Sequence, residues 1–188
     1  MRVCSARQSM MTTHPAVTWR QASVADSLAA ARVNVQSWRE SFPERHQDSD
    51  DLSIEGRAAM FRHRFGASFY RMFVAEAQGQ GAIGFVDVGR PRDARWHCDA
   101  ELYAIYVLKR YQGLGVGQRL FELACEAVLA QGLATMYLIA LQDNPYRVFY
   151  ERLGGRPIAQ VPAGAVAGQD AHVIYAWFDL RRRRATPP

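Results

Sequence analysis

The stretch ELYAIYVLKRYQGLGVGQRLFELACEAVL, residues 101–129, limits the possible folds more than any other part of the chain. An apolar run breaks into RYQGLGVG and then resumes at helical spacing, which sets Gly113, Gly115 and Gly117 between a strand and a helix. Glycine loses the most backbone freedom on folding, so it marks a junction where the chain turns tightly or approaches something closely. A helix start offers unpaired N–H groups and the positive end of the helix dipole, which makes a phosphate the natural guest. The competing reading is a glycine-rich turn that serves only close packing of helix on sheet.

The rest of the chain builds an α/β pattern around this junction. VTWRQAS reads as a short strand. DSLAAARVNVQSWRESF reads as a helix opened by Asp26, with Leu28, Val35, Trp38 and Phe42 at near-helical intervals. A polar, turn-rich PERHQDSDD leads to a second helix, LSIEGRAAMFRHRF, and then SFYRMFVAEAQGQGAIGFVDVGR reads as a hairpin of two strands. In the helix after the glycines, Val116, Leu120, Leu123, Ala124, Ala127 and Val128 gather toward one face, with Gln118, Arg119, Glu122 and Glu126 on the other. LATMYLIAL is a buried strand. NPYRVFYERLGG is a short helix, with Asn144 as its N-cap, Pro145 at the first helical position and Gly154 or Gly155 at the left-handed exit. RPIAQVP and HVIYAWFDL close the chain as two strands. The hairpins are antiparallel and the strand–helix–strand crossover favours parallel pairing, so the sheet is mixed.

Composition narrows the function classes. The 188 residues suit one domain, and the net charge of +5 suggests an acidic partner until it is located. Without residues 1–14 and 181–188 the chain has 17 basic against 18 acidic residues, so the basicity belongs to its ends. We therefore divide the chain into a loose leader over 1–15, one domain over 16–180 and an Arg-rich tail over 181–188. The tail reads as solvated, and nucleic acid is not an expected partner. Cys4, Cys98 and Cys125 form no Cys-x-x-Cys pair, and the five histidines show no ligand spacing, so no metal is expected. Neither a membrane-length apolar run nor a signal peptide is evident, and cytoplasmic placement follows as the default.

Two phosphate motifs fail at the glycines. A P-loop needs Lys and then Ser or Thr after its last glycine, but Gln118 and Arg119 follow Gly117. A dinucleotide fingerprint needs Gly-x-Gly-x-x-Gly, and position 118 is not glycine. Gln112-x-x-Gly115-x-Gly117 does resemble the Arg/Gln-x-x-Gly-x-Gly/Ala signature of the GNAT N-acetyltransferase superfamily. NPYRVFYERLGG resembles the same family's second cofactor segment, one helix and one strand further on. The resemblance implies a single-domain fold of that family: a mixed, mostly antiparallel twisted sheet of about six to seven strands flanked by about four helices. It also implies acetyl-CoA as donor. Its pyrophosphate would lie on the backbone of Gly113, Leu114, Gly115, Val116 and Gly117 beside Gln112. Its pantetheine arm would lie along Ile105, Tyr106 and Val107, with Asn144 in contact. Arg147 stands where the family commonly has a small residue, and Gly154-Gly155 replaces its frequent Gly-Phe.

By this resemblance the reaction is acetyl transfer to a primary amine of a small molecule or peptide by direct attack. The amine must lose a proton and the CoA thiolate gains one. Tyr150 matches the family's acid beside the sulfur; its other reading is a core aromatic. Glu101, the charge inside the apolar strand 100–108, shares a face with Tyr103, Ile105 and Val107 by alternation, as a base acting directly or through water. Its other reading is a solvated strand-end carboxylate. A backbone N–H near Val107 suits the oxyanion. SWRESFPER resembles the segment that many small members place beside the acceptor, so Trp38 and Phe42 either line that pocket or belong to the core. Asp48, Asp50 and Asp51 would suit a cationic amine if they faced the cleft. The rival class is a non-catalytic acyl-CoA-binding or sensing module of the same fold. Exposed sheet edges also leave room for a homodimer.

Overall fold

The computed structural model describes residues 15–45, 53–165 and 170–182. Most of the expected leader and tail lies outside these residues, as do Asp48, Asp50 and Asp51. The elements follow the order read from the sequence: β1 (Val17–Gln21), α1 (Ser27–Ser41), α2 (Ile54–Arg64), β2 (Tyr70–Ala77), β3 (Gly81–Gly89), β4 (Ala100–Val107), α3 (Val116–Ala130), β5 (Met136–Leu141), α4 (Arg147–Arg152), β6 (Arg156–Val161) and β7 (His172–Trp177). The seven strands form one mixed sheet in the order β1-β2-β3-β4-β5-β7-β6. Every neighbouring pair is antiparallel except β4–β5, the pair joined through α3. That exception follows from chain direction, because a crossover helix returns the chain to the end from which it left.

Helices cover both faces. Phe61 of α2 meets Phe85 of β3 edge-on at 5.3 Å between ring centroids, whereas a Cβ at the preceding Gly84 would touch Leu120 of α3 at 3.1 Å. Neighbouring strand residues point to opposite faces, so α2 and α3 lie on opposite sides. α4 shares the side of α3: Phe121 packs on Trp177 of β7 at 5.0 Å, and Tyr150 on Tyr175 at 5.7 Å. Leu120, Ala124 and Val128 press α3 onto the sheet with no exposed area. Truncating Leu120 to alanine would cost about 2–5 kcal/mol.

Three local expectations are corrected. In α1 and its C-cap, Val35 and Phe42 are buried as expected, but Leu28 is exposed, and the buried side also takes in Ala30, Ala31, Val33, Asn34 and Ser37. In α3 the buried stripe also takes in Phe121 and Cys125. α4 begins later than its punctuation implies. Asn144 Oδ1 accepts from Tyr146 N–H at 2.8 Å, which closes a turn on Asn144 and Pro145, and the helix starts at Arg147. Asn144 is thus the head of an Asx turn rather than an N-cap. At the exit, Gly154 takes the left-handed conformation with φ +79°, as the sequence suggests.

Candidate active site

The central feature is where β4 and β5 come apart. They pair only at Ala100↔Met136 and Glu101↔Tyr137, at the start of each strand, and diverge beyond. On its other edge β4 stays bonded to β3 as far as Val107. Leu108 N–H donates to Ile83 O of β3 at 2.9 Å, so alternation turns the backbone groups of Ile105 and Val107 toward the gap. A cleft of about 1670 Å³ runs through this gap and opens on both faces of the sheet.

α3 points its N-terminus at the cleft, and its three glycines have two different reasons to be there. Gly113 and Gly115 adopt φ +74° and +79°, a region costly for any residue with a Cβ, although a Cβ at either would meet nothing within 4 Å. At Gly117 the constraint is space, since a Cβ would lie 3.2 Å from Phe149 Cζ. The first helical hydrogen bond runs from Arg119 N–H to Gly115 O at 3.0 Å. The N–H groups of Val116, Gly117 and Gln118 are therefore left over for a ligand. Gly113, Gly115 and Gly117 line the cleft; Leu114 is largely exposed and Val116 is buried in the core, so each can contribute its backbone only. Gln112 also lines the cleft, but its amide turns back to Val107 O at 3.0 Å and locks the end of β4 to the turn.

Tyr150 and Asn144 line the same cleft. Burial pushes the Tyr150 phenol well above its ordinary value; the nearby Tyr106 adds to this, and a hydrogen bond with Asn144 opposes it. The phenol is thus neutral and carries its proton at any pH near neutrality. Tyr106 occupies the α2 side, its ring 5.8 Å from Phe85, and burial pushes its phenol up to about 12. Trp38 and Phe42 pack with their rings tilted by 42° at 4.6 Å between centroids and line this wall of the cleft with Ser37 and Arg57.

Glu101 does not join this constellation. The register shifts between Asp87 and Val88, which pair with Ala104 and Leu102, so Tyr103 is an extra residue in β4. The bulge breaks the alternation assumed from the sequence: Glu101 is separated in facing from Ile105 and Val107. Its side chain has no exposed area and is not among the residues lining the cleft. Arg92 N–H at 2.8 Å and Tyr137 OH at 2.8 Å donate to one carboxylate oxygen, and the Arg92 guanidinium donates to the other, with Nε at 3.0 Å. A carboxylate so fully engaged anchors the β3–β4 loop and is badly placed to accept a proton from a substrate. Sequence reasoning missed Ser37, Arg57, Arg92 and Trp96, all of which line the cleft. Of these only Trp96 carried a signal, as a tryptophan inside the polar loop PRDARWHCD.

A mixed sheet thus splits beside a glycine-headed crossover helix, with a protonated phenol lining the split. The chain belongs to the GNAT acetyltransferase family: the model described as "Acetyltransferase (GNAT) family" matches residues 32–155, more than half of its length. It is 30% identical over 166 residues to the uncharacterized N-acetyltransferase YuaI of Bacillus subtilis (strain 168), covering 87% of this chain and 94% of that one. Its fold is similar to that of YncA from Salmonella typhimurium, solved with its cofactor acetyl-CoA, with TM-score 0.67, 20% identity, and 92% and 98% of the two chains covered. PaiA N-acetyltransferase from Thermoplasma acidophilum, in complex with coenzyme A, gives TM-score 0.64 at 17% identity, over 86% and 99%. Among the described residues no cluster of His, Cys, Asp and Glu could hold a metal ion, and no helix is long and apolar enough to cross a membrane.

Proposed function

We propose that this protein transfers the acetyl group of acetyl-CoA to a primary amine of a small molecule or peptide by direct attack. The observation that supports it best is that the gap beyond Glu101↔Tyr137, the glycine turn and the Tyr150 phenol all border one cleft. Acetyl-CoA supplies an activated thioester. The leftover N–H groups of 116–118 and the turn at 113–115 cradle its pyrophosphate. The free edge of β4 at Ile105 pairs with the pantetheine arm as a further strand would, while Val107 O stays with Gln112 and leaves the Val107 N–H to the cofactor. The Val107 N–H polarises the thioester carbonyl, and pre-oriented donors of this kind stabilise the charge that develops there. As the C–N bond forms and the C–S bond breaks, Tyr150 gives its proton to the departing sulfur, and the proton shed by the attacking nitrogen returns to the phenolate through water in the cleft. Trp38 and Phe42 form an apolar wall for the acceptor.

With Glu101 sealed in its ion pair, the amine enters as the free base after losing its proton to water in the open cleft. The proposal keeps the expectation of a cytoplasmic setting, where Cys98 and Cys125 stay out of disulfides as they are here. The test is amine-dependent release of CoA thiol from acetyl-CoA. Release that rises and saturates with added amine supports the reading. Tight acetyl-CoA binding without turnover over a broad amine panel would favour a non-catalytic acyl-CoA sensor.

A further inference from the structure

The acceptor wall has hydrogen-bond donors with nothing to bond to. Five buried polar side-chain atoms have no partner among the described residues: Ser37 Oγ, Trp38 Nε1, Arg57 Nε, Trp96 Nε1 and Asp87 Oδ1. The first four belong to residues that line the cleft; Asp87 does not line it. Buried polar groups are nearly always paired, so such a cluster at a binding surface marks where a ligand bonds. Arg57 and both indoles can only donate, and a serine hydroxyl can donate as well. The missing partner must therefore be rich in acceptors.

Three of these donors come from the two helices of one wall. Ser37 and Trp38 lie one turn after Asn34 on α1, and Asn34 hydrogen-bonds the Tyr106 phenol. Arg57 comes from the first turn of α2, close enough to act electrostatically on that same phenol. Ser37 is only 2% exposed, so its hydroxyl has no recourse to bulk water. Trp96 stands apart, over Tyr137 at 6.5 Å. None of the ion pairs among the described residues includes Arg57. The nearby acids each have a cation, Asp93 with Arg95 at 2.6 Å, Glu101 with Arg92 and Asp87 with Arg64 at 2.8 Å; the second Asp87 oxygen has no partner but lies off the cleft lining. A wholly cationic acceptor such as a polyamine would meet the positive charge of Arg57 here, whereas an oxyanion would suit the donors of Ser37, Trp38 and Arg57.

We propose that the acceptor is an amino acid or close analogue, its amine facing the thioester and its carboxylate held by Arg57, Ser37 and Trp38. The inference rests on the acetyl-transfer reading for the fate of the amine, but the carboxylate site stands on its own geometry. A planar guanidinium suits a carboxylate because it offers parallel donors in a fixed fork.

The test compares a panel of α-amino acids with their own carboxamides, which keep the amine and lose the charge. Two readouts are used: acetyl transfer, and binding to the CoA-saturated protein followed by tryptophan fluorescence. The expected preference for acid over amide is roughly ten- to a hundredfold, the usual worth of a charged hydrogen bond. It should fall toward one in Arg57→Gln, survive in part in Arg57→Lys, and be untouched by Arg62→Gln on the exposed side of α2. Circular dichroism checks that each variant is folded. Amides or polyamines acetylated as well as the acids would overturn the carboxylate site and leave acetyl transfer standing. Arg57-dependent binding of acids with no CoA released would do the reverse. An absence of any acid preference in binding also overturns the site.

Discussion

The two walls of the cleft are built on opposite plans. On the α3 side, recognition is a property of the backbone: two left-handed glycines, a run of unbonded N–H groups and the free edge of β4. On the α1–α2 side it is a property of side chains that meet from distant parts of the chain, Ser37 and Trp38 from one helix, Arg57 from the next and Tyr106 from a strand. A backbone site tolerates almost any side chain so long as its φ angles can be reached. A side-chain site depends on identity at each position and can be altered one residue at a time. One fold can thereby keep its donor while its acceptor changes.

Four substitutions would break or sharpen that contrast. Tyr150→Phe, which removes the proposed proton donor between the walls, should have the largest effect. It should lower kcat by roughly 10²- to 10³-fold, in the range of a lost general acid. Acetyl-CoA affinity should change little. Because burial raises the phenol's pKa, the wild-type rate should show no alkaline fall from this group through pH 9, and the defect should be the same at each pH. A variant matching wild type across that range would remove Tyr150 from the mechanism.

Gly115→Val should come next. It forces a β-branched residue to φ +79° at about 1–3 kcal/mol of strain, and calorimetry should show weaker acetyl-CoA binding by at least tenfold. Gly117→Ala meets only the Phe149 ring edge at 3.2 Å, so a smaller loss is expected there. Equal losses at the two positions would mean that packing, not backbone conformation, makes the donor wall.

Glu101→Gln should alter activity least. It breaks a pair that is buried on one side and half exposed on the other, and thermal melting should fall by a few degrees, for about 1–3 kcal/mol. The rise of kcat/KM with pH, set by deprotonation of the amine itself, should keep its slope. A flattened pH profile would restore Glu101 as the base.

The same contrast explains what could be read from the sequence. Element order and the mixed sheet followed from periodicity and punctuation, which are local. So did the turn ahead of α3, because glycine spacing records backbone conformation directly. The facing of Glu101 did not follow, because one extra residue at Tyr103 inverts the alternation and nothing in ELYAIYV announces a bulge. The acceptor wall was half legible: Trp38 and Phe42 stood out by size, whereas Arg57 and Ser37 look like any polar residues on a helix. Their role comes only from what they meet across about twenty residues of chain and a strand beyond it. The start of α4 was misjudged for a related reason, since an Asx turn and an N-cap use the same residue type.

The central claim is that the glycine turn and the split strands form an acetyl-CoA site. Its most direct test is a calorimetric titration of the purified chain with acetyl-CoA, run beside NAD and ATP. The account predicts saturable binding of one acetyl-CoA per chain, with neither NAD nor ATP matching it. A folded sample that gives no heat with acetyl-CoA, or binds all three alike, would contradict it.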